Sequence, residues 1–81
     1  GSETKFSASQ AAEGMQYLGM AGFKTNDIMK AMPGMLSLAA AGQLDLGRAA
    51  DITSNIMSGF GLKADTAGHA ADVLAKAAAN S

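Results

Sequence analysis

The sequence predicts an all-α fold, a compact array of four to five short antiparallel-type helices joined by tight Gly-capped loops. Apolar residues recur at helical spacing in successive segments, and glycines stand just past the ends of those segments with a capping residue shortly after each. No run of β-branched residues alternates at period 2, so no strand competes. With 81 residues the chain has room for one core only.

The first helix is expected from about Ala8 to Ala21, opened by the capping-box form Ser7-Ala8-Ser9-Gln10 with Phe6 in the staple position. Ala8, Ala11, Ala12, Met15, Leu18 and Gly19 share one face of it; Gln10, Glu13 and Gln16 make a narrow wet stripe, and Gly14, Tyr17 and Ala21 a second smooth surface. Three loops then share one grammar: Gly22-Phe23-Lys24-Thr25, Gly42-Gln43-Leu44-Asp45 and Gly61-Leu62-Lys63-Ala64-Asp65. In each, Gly is expected to end a helix in the left-handed conformation, and Thr25, Asp45 or Asp65 to accept a free amide of the next first turn.

After Thr25 a short helix carries Ile28, Met29 and Met32 as far as Pro33, which lacks an amide hydrogen and disfavours helical geometry in Met32. A break is therefore expected at Met32–Pro33, with Pro33 opening a new helix over Gly34 to Ala41. That helix is apolar nearly all round apart from Ser37 and should be the most buried. From Leu46 to Phe60 the pattern is strongly amphipathic, with Leu46, Ala49, Ile52, Thr53, Ile56, Met57 and Phe60 in one stripe and Arg48, Asp51, Ser54, Asn55 and Ser58 outside it. The last helix, from Thr66 toward Asn80, turns Ala67, Ala70, Val73, Leu74, Ala77 and Ala78 inward and pairs Asp72 with Lys76 at i,i+4 outside.

Parts of the chain resemble one another. Met15 to Gly22 matches Met35 to Gly42 at four of eight positions at a shift of 20, and Arg48 to Ile52 matches His69 to Val73 at three of five at a shift of 21. Any Ala-, Leu- and Met-rich helix ending in Gly produces such matches; a local array of stacked small-residue faces produces them too, and three or four helices do not decide between the two.

Composition excludes several classes. With no Cys there is no disulfide framework and no thiolate chemistry. A net charge of −1 and a pI near 5.6 leave no basic field for nucleic acid or anionic lipid. The longest uncharged stretch, the 14 residues from Ala31 to Leu44, falls short of the roughly 20 apolar residues that span a bilayer. No signal peptide is visible before Gln10, and Gly1-Ser2 reads as the remnant of a cleaved tag. Residues 1–5 are accordingly expected to be a tag scar and disordered start, and residues 6–81 a single helical domain cut from a longer protein.

A search for chemistry is empty. His69, the sole histidine, has Asp72 at i+3 but no second His and no Glu at i±4, so a surface or structural role is expected. Asp45 and Asp65 are read as caps, Asp27 as a first-turn residue favoured by the helix dipole, and Asp51 and Asp72 as solvated. The Gly-x-Gly-like stretches around Gly34, Gly42 and Gly59 follow no strand and lack the Lys-Ser/Thr of a phosphate loop. No catalytic, cofactor-binding or metal-ligating residue, and no cofactor, is therefore expected. The six Met residues are read as filling gaps between Ala- and Gly-rich helices, except Met20, which lies on the polar side of its helix. Leftover apolar surface on so short a chain is expected to drive self-association, with Tyr17 and Met20 at the contact.

The ordered string Ala21 to Gly34 (AGFKTNDIMKAMPG), Leu38 to Leu46 (LAAAGQLDL), Arg48 to Ile52 (RAADI), Gly59 to Leu62 (GFGL) and Ala71 to Ala75 (ADVLA) resembles the core region of phage tail tape measure proteins. The likeness covers nearly the whole chain after the first residues, and the Met-Pro-Gly joint with its spacing makes it specific. It implies a structural, non-enzymatic segment of a long helical protein that occupies the tail tube lumen, sets tail length and leaves at genome ejection. The implied partners are other copies of itself and tail tube and tail assembly proteins; the implied place is the virion tail, after synthesis in the bacterial host cytoplasm. Some family members carry peptidoglycan-cleaving domains elsewhere, but no such motif occurs here and no site residue is carried over. The alternative is a helical adaptor or membrane-active module, for which no gathering of Lys and Arg on a polar face speaks.

Overall fold

The computed structural model describes residues 6–80, so the tag scar and disordered start expected at residues 1–5 lie outside the described residues. Four α-helices follow one another: α1 (Ala8–Met20), α2 (Thr25–Gly42), α3 (Leu46–Phe60) and, after a 3-10 turn at Ala64–Thr66, α4 (Ala67–Ala79). No strand occurs among the described residues.

The helix starts vary in how they are capped. Ser7 accepts from the Gln10 amide at 3.2 Å while the Gln10 side chain accepts from the Ser7 amide at 2.8 Å, completing the capping box. Asp45 accepts from the Arg48 amide at 2.7 Å and opens α3 where expected. Thr25 and Asp65 do not cap. Lys24 and Lys63 precede those starts without a side-chain cap; Thr25 is already helical, and Asp65 lies inside the 3-10 turn, where the Thr66 hydroxyl donates to the Lys63 carbonyl at 2.7 Å. In place of a cap, α2 has Asp27 in its first turn, where the helix dipole favours a carboxylate.

The ends of α1, α2 and α3 close in the same way. The amides of Phe23, Leu44 and Leu62 reach back to the carbonyls of Leu18, Ala39 and Met57 at 3.0, 2.8 and 2.9 Å, each five residues earlier, which is the Schellman closure with an apolar residue folding back. The left-handed residue is glycine at Gly22 (φ 99°) and Gly61 (φ 66°). At the middle loop it is Gln43 (φ 55°), and Gly42 is the last helical residue rather than the terminator expected from its identity. The same closure is reached one residue later, with a non-glycine strain of about 1–2 kcal/mol.

The expected break at Met32–Pro33 is absent: α2 runs unbroken through Pro33. Pro33 is exposed, whereas Ala31, Gly34, Met35, Leu38 and Ala39 on the opposite side are buried. The lost hydrogen bond and ring clash cost about 3 kcal/mol, and they fall on the solvent side of a helix whose other face is held by its neighbours. Tertiary packing outweighs the local preference.

Each helix takes its largest partner two places along the chain. α2 packs most extensively on α4, and α1 on α3. The α2–α4 crossing is tight enough for backbone to meet backbone. A Cβ on Gly34 would strike the Gly68 carbonyl oxygen, and one on Gly68 would lie 2.7 Å from the Lys30 carbonyl oxygen. The α1–α3 pair repeats this more loosely, where a Cβ on Gly14 would come 3.1 Å from the Leu46 Cβ. Gly14 is thus buried with Leu18, and the inward face of α1 is rotated from the expected one toward it, leaving Ala8, Ala12 and Gly19 exposed.

Seven of the twelve buried hydrophobic residues are Ala, joined by Leu18, Leu38, Leu46, Met35 and Met57. Thr53 is buried among them with its hydroxyl unpaired, as its place in the apolar stripe implied. The result is a slab 36 × 29 × 16 Å in extent, about two helices deep. Replacing Gly34 by Ala, a better helix former, is expected to lower stability by about 1–3 kcal/mol through overpacking. Gly59→Ala, in the same class of site but with open space around it, should raise stability by about 0.5–1 kcal/mol. Urea unfolding of both variants checks this; effects of the same sign would contradict the close crossing.

Candidate functional site

A groove of ≈ 590 Å³ lies between the C-terminal halves of α1 and α3. Its position follows from the pairing of those helices: Tyr17, Met20 and Ala21 come from α1 and its end, Asp51, Ser54, Asn55 and Ser58 from the wet side of α3, and Phe23 and Leu62 from the two loops. Tyr17 and Met20, expected at a contact surface, both line it, and Met20 is 81% exposed.

Asp51 organises the polar side. One carboxylate oxygen accepts from the Tyr17 hydroxyl at 2.6 Å and from the Asn55 amide at 3.2 Å, and the other takes the Arg48 guanidinium at 3.3 Å. The Tyr17–Asp51 bond joins residues 34 apart in the chain and ties α1 to α3. Donating to a carboxylate holds the Tyr17 proton, so its pKa is raised above the ordinary 10.0; partial burial and the Asp51 charge add to the rise, and Arg48 opposes it. Asp51 thus acts as a buckle, tying α1 to α3 through Tyr17 and holding Arg48 and Asn55 of its own helix.

The remaining sequence-predicted groups are dispersed. His69 is exposed, and Asp72 turns to Lys76 at 3.6 Å, the i,i+4 pair expected, rather than to His69. No group of three or more His, Cys, Asp or Glu residues is placed to hold a metal among the described residues. No helix of the described residues is long and apolar enough to cross a membrane.

Comparisons with known proteins show the class to which this all-helical array belongs. The family model for phage-related minor tail proteins matches residues 1–81, and the chain belongs to that family. Within it, the chain is similar to the tape measure protein of Pneumococcus phage Dp-1, 49% identical over 80 residues that make up 99% of this chain and 7% of that protein. The chain thus spans about 7% of the length of the curated relative it matches. No solved structure matches it. A structural role in the phage tail follows from the family and the relative together.

The chain has one Tyr and no Trp, so phenolate absorbance reports Tyr17 alone. Its titration midpoint should lie above 10.0 and fall back toward it in Asp51→Asn. Because the folded-state pKa is the raised one, the stabilisation from this bond is fully present below pH 10.0 and is lost as pH rises through the higher folded value. A wild-type midpoint at or below the ordinary tyrosine value would contradict the bond.

Proposed function

We propose that this chain is a structural, non-enzymatic segment of a phage or prophage tail tape measure protein, which occupies the tail tube lumen before genome ejection and contributes to setting tail length. The observation that carries the reading is the end-to-end likeness to a tape measure protein, across 99% of this chain. A polypeptide of that kind is made in the bacterial host cytoplasm and ends in the virion tail, with tail tube and tail assembly proteins and other copies of itself as neighbours.

The geometry supports the reading in a second way. A ruler contributes length, and this segment has two lengths available: 36 Å as folded, or about 110 Å if its described residues formed one continuous helix at about 1.5 Å per residue. In-frame deletion of residues 6–80 from the parent gene, with tails measured by electron microscopy, should shorten the tail by one of these amounts. Tails of unchanged length would overturn the reading.

Contact between copies is proposed at the groove, through Met20 and the ring of Tyr17. Light scattering coupled to size exclusion should show a mass that rises with concentration and a Met20→Glu variant that stays at 8.1 kDa. Met20 is the better probe because the Tyr17 hydroxyl already serves α3. A wild-type mass fixed at 8.1 kDa across a wide dilution series would contradict the contact.

A further inference from the structure

Pro33 interrupts the hydrogen-bond ladder of α2 at one place. It has no amide hydrogen to offer the Met29 carbonyl, and its ring crowds that carbonyl. Across Met32–Pro33 a continuous helix is then tied only by the amides of Gly34, Met35 and Leu36, which reach four residues back to Lys30, Ala31 and Met32. The joint carries a strong local preference for a break, and α2 is nonetheless unbroken there.

The start of α4 lies against this joint. Gly68 comes up to its N-terminal side, where a Cβ would lie 2.7 Å from the Lys30 carbonyl oxygen and 3.4 Å from the Ala31 Cα. On the C-terminal side Gly34 directly follows Pro33, and a Cβ on it would strike the Gly68 carbonyl and come 3.2 Å from the Ala71 Cβ. One turn of α4, Gly68 to Ala71, thus touches α2 both before and after the proline. Ala31 and Ala71 are fully buried, and the 3-10 turn ahead of α4 packs on α2 as well. Pro33 itself is exposed, and the atoms nearest a Cβ on Gly68 belong to Lys30 and Ala31 rather than to Pro33.

We propose that the first turn of α4 is a splint on α2. Seated across Met32–Pro33 it keeps the helix in one piece, and when it lifts, α2 parts at that joint into residues 25–32 and 33–42. The joint is suited to both states. Proline is preorganised for the first turn of a helix, so Pro33 opens the second half as readily as it interrupts the whole, and Gly34 beside it supplies backbone freedom. α2 is therefore a two-state element, and the docking of a helix two places later in the chain sets its state.

A double-mutant cycle on the 81-residue chain separates a splint from ordinary packing. Gly68→Ala puts a methyl group against the Lys30 carbonyl and lifts the first turn of α4, while Pro33→Ala removes the joint. Gly68→Ala should lower the melting midpoint about twice as far in the unsubstituted chain as in the Pro33→Ala chain, because a helix without the proline no longer depends on the splint. In the Gly68→Ala chain the amides of Gly34, Met35 and Leu36 should exchange roughly tenfold faster relative to those of Leu38, Ala39 and Ala40, and adding Pro33→Ala should cancel that excess. Should Gly68→Ala leave no cooperative melt, Ala71→Gly, which loosens the same crossing without a clash, takes its place in both measurements. Equal falls in midpoint in the two backgrounds, or exchange that quickens uniformly along α2, would overturn the proposal.

Discussion

Where α2 crosses α4, the carbonyl of Gly68 occupies the space that a side chain on Gly34 would need, and the carbonyl of Lys30 does the same at Gly68. This contact sets the terms for the rest of the interior. An alanine side chain offers one methyl group, so helices lined by Ala31, Ala39, Ala67, Ala71 and Ala75 gain dispersion contacts only if their axes come close. The glycines permit that approach. The long side chains, Leu18, Leu38, Leu46, Met35 and Met57, then fill what remains between the two pairs. The unbroken course of α2 past Pro33 depends on the same contact, because Gly34 must stay in register with Gly68 for the pair to close.

The helical class and its punctuation were legible because they are local. Capping by Ser7 and Asp45, closure after Gly22 and Gly61 and the span of α3 each rest on residues within one turn of the boundary. What local reasoning missed was decided elsewhere in the molecule. Pro33 carries a strong stop signal, yet the buried face opposite it keeps the helix whole. Gln43, not Gly42, takes the left-handed conformation because the middle helix runs one residue further before closing. Apolar periodicity found the stripes on α1, α3 and α4, but it could not say which part of a broad stripe a neighbour covers. Gly14 looked like a second surface and is buried; Val73 looked like core and is half exposed.

The groove was legible only in part. Tyr17 and Met20 stood out as large side chains on a smooth face, and Asp51 as a solvated carboxylate, but nothing in the spacing joined Tyr17 to Asp51. Their bond exists because α1 packs more extensively on α3 than on α2, a pairing that no local window of sequence contains. A glycine stands at both crossings, but Gly34 meets the small residues Gly68 and Ala71 whereas Gly14 meets Leu46, so small-residue faces stack only between α2 and α4.

An interior made largely of methyl groups also shapes how the molecule responds to temperature. The heat-capacity change on unfolding rises with the apolar area exposed and falls with the polar area exposed, and it is this quantity that curves the dependence of stability on temperature. Helices held backbone to backbone through Ala and Gly bury much peptide and little hydrocarbon. The expected stability curve is flatter than that of a protein of equal size built around leucine and phenylalanine.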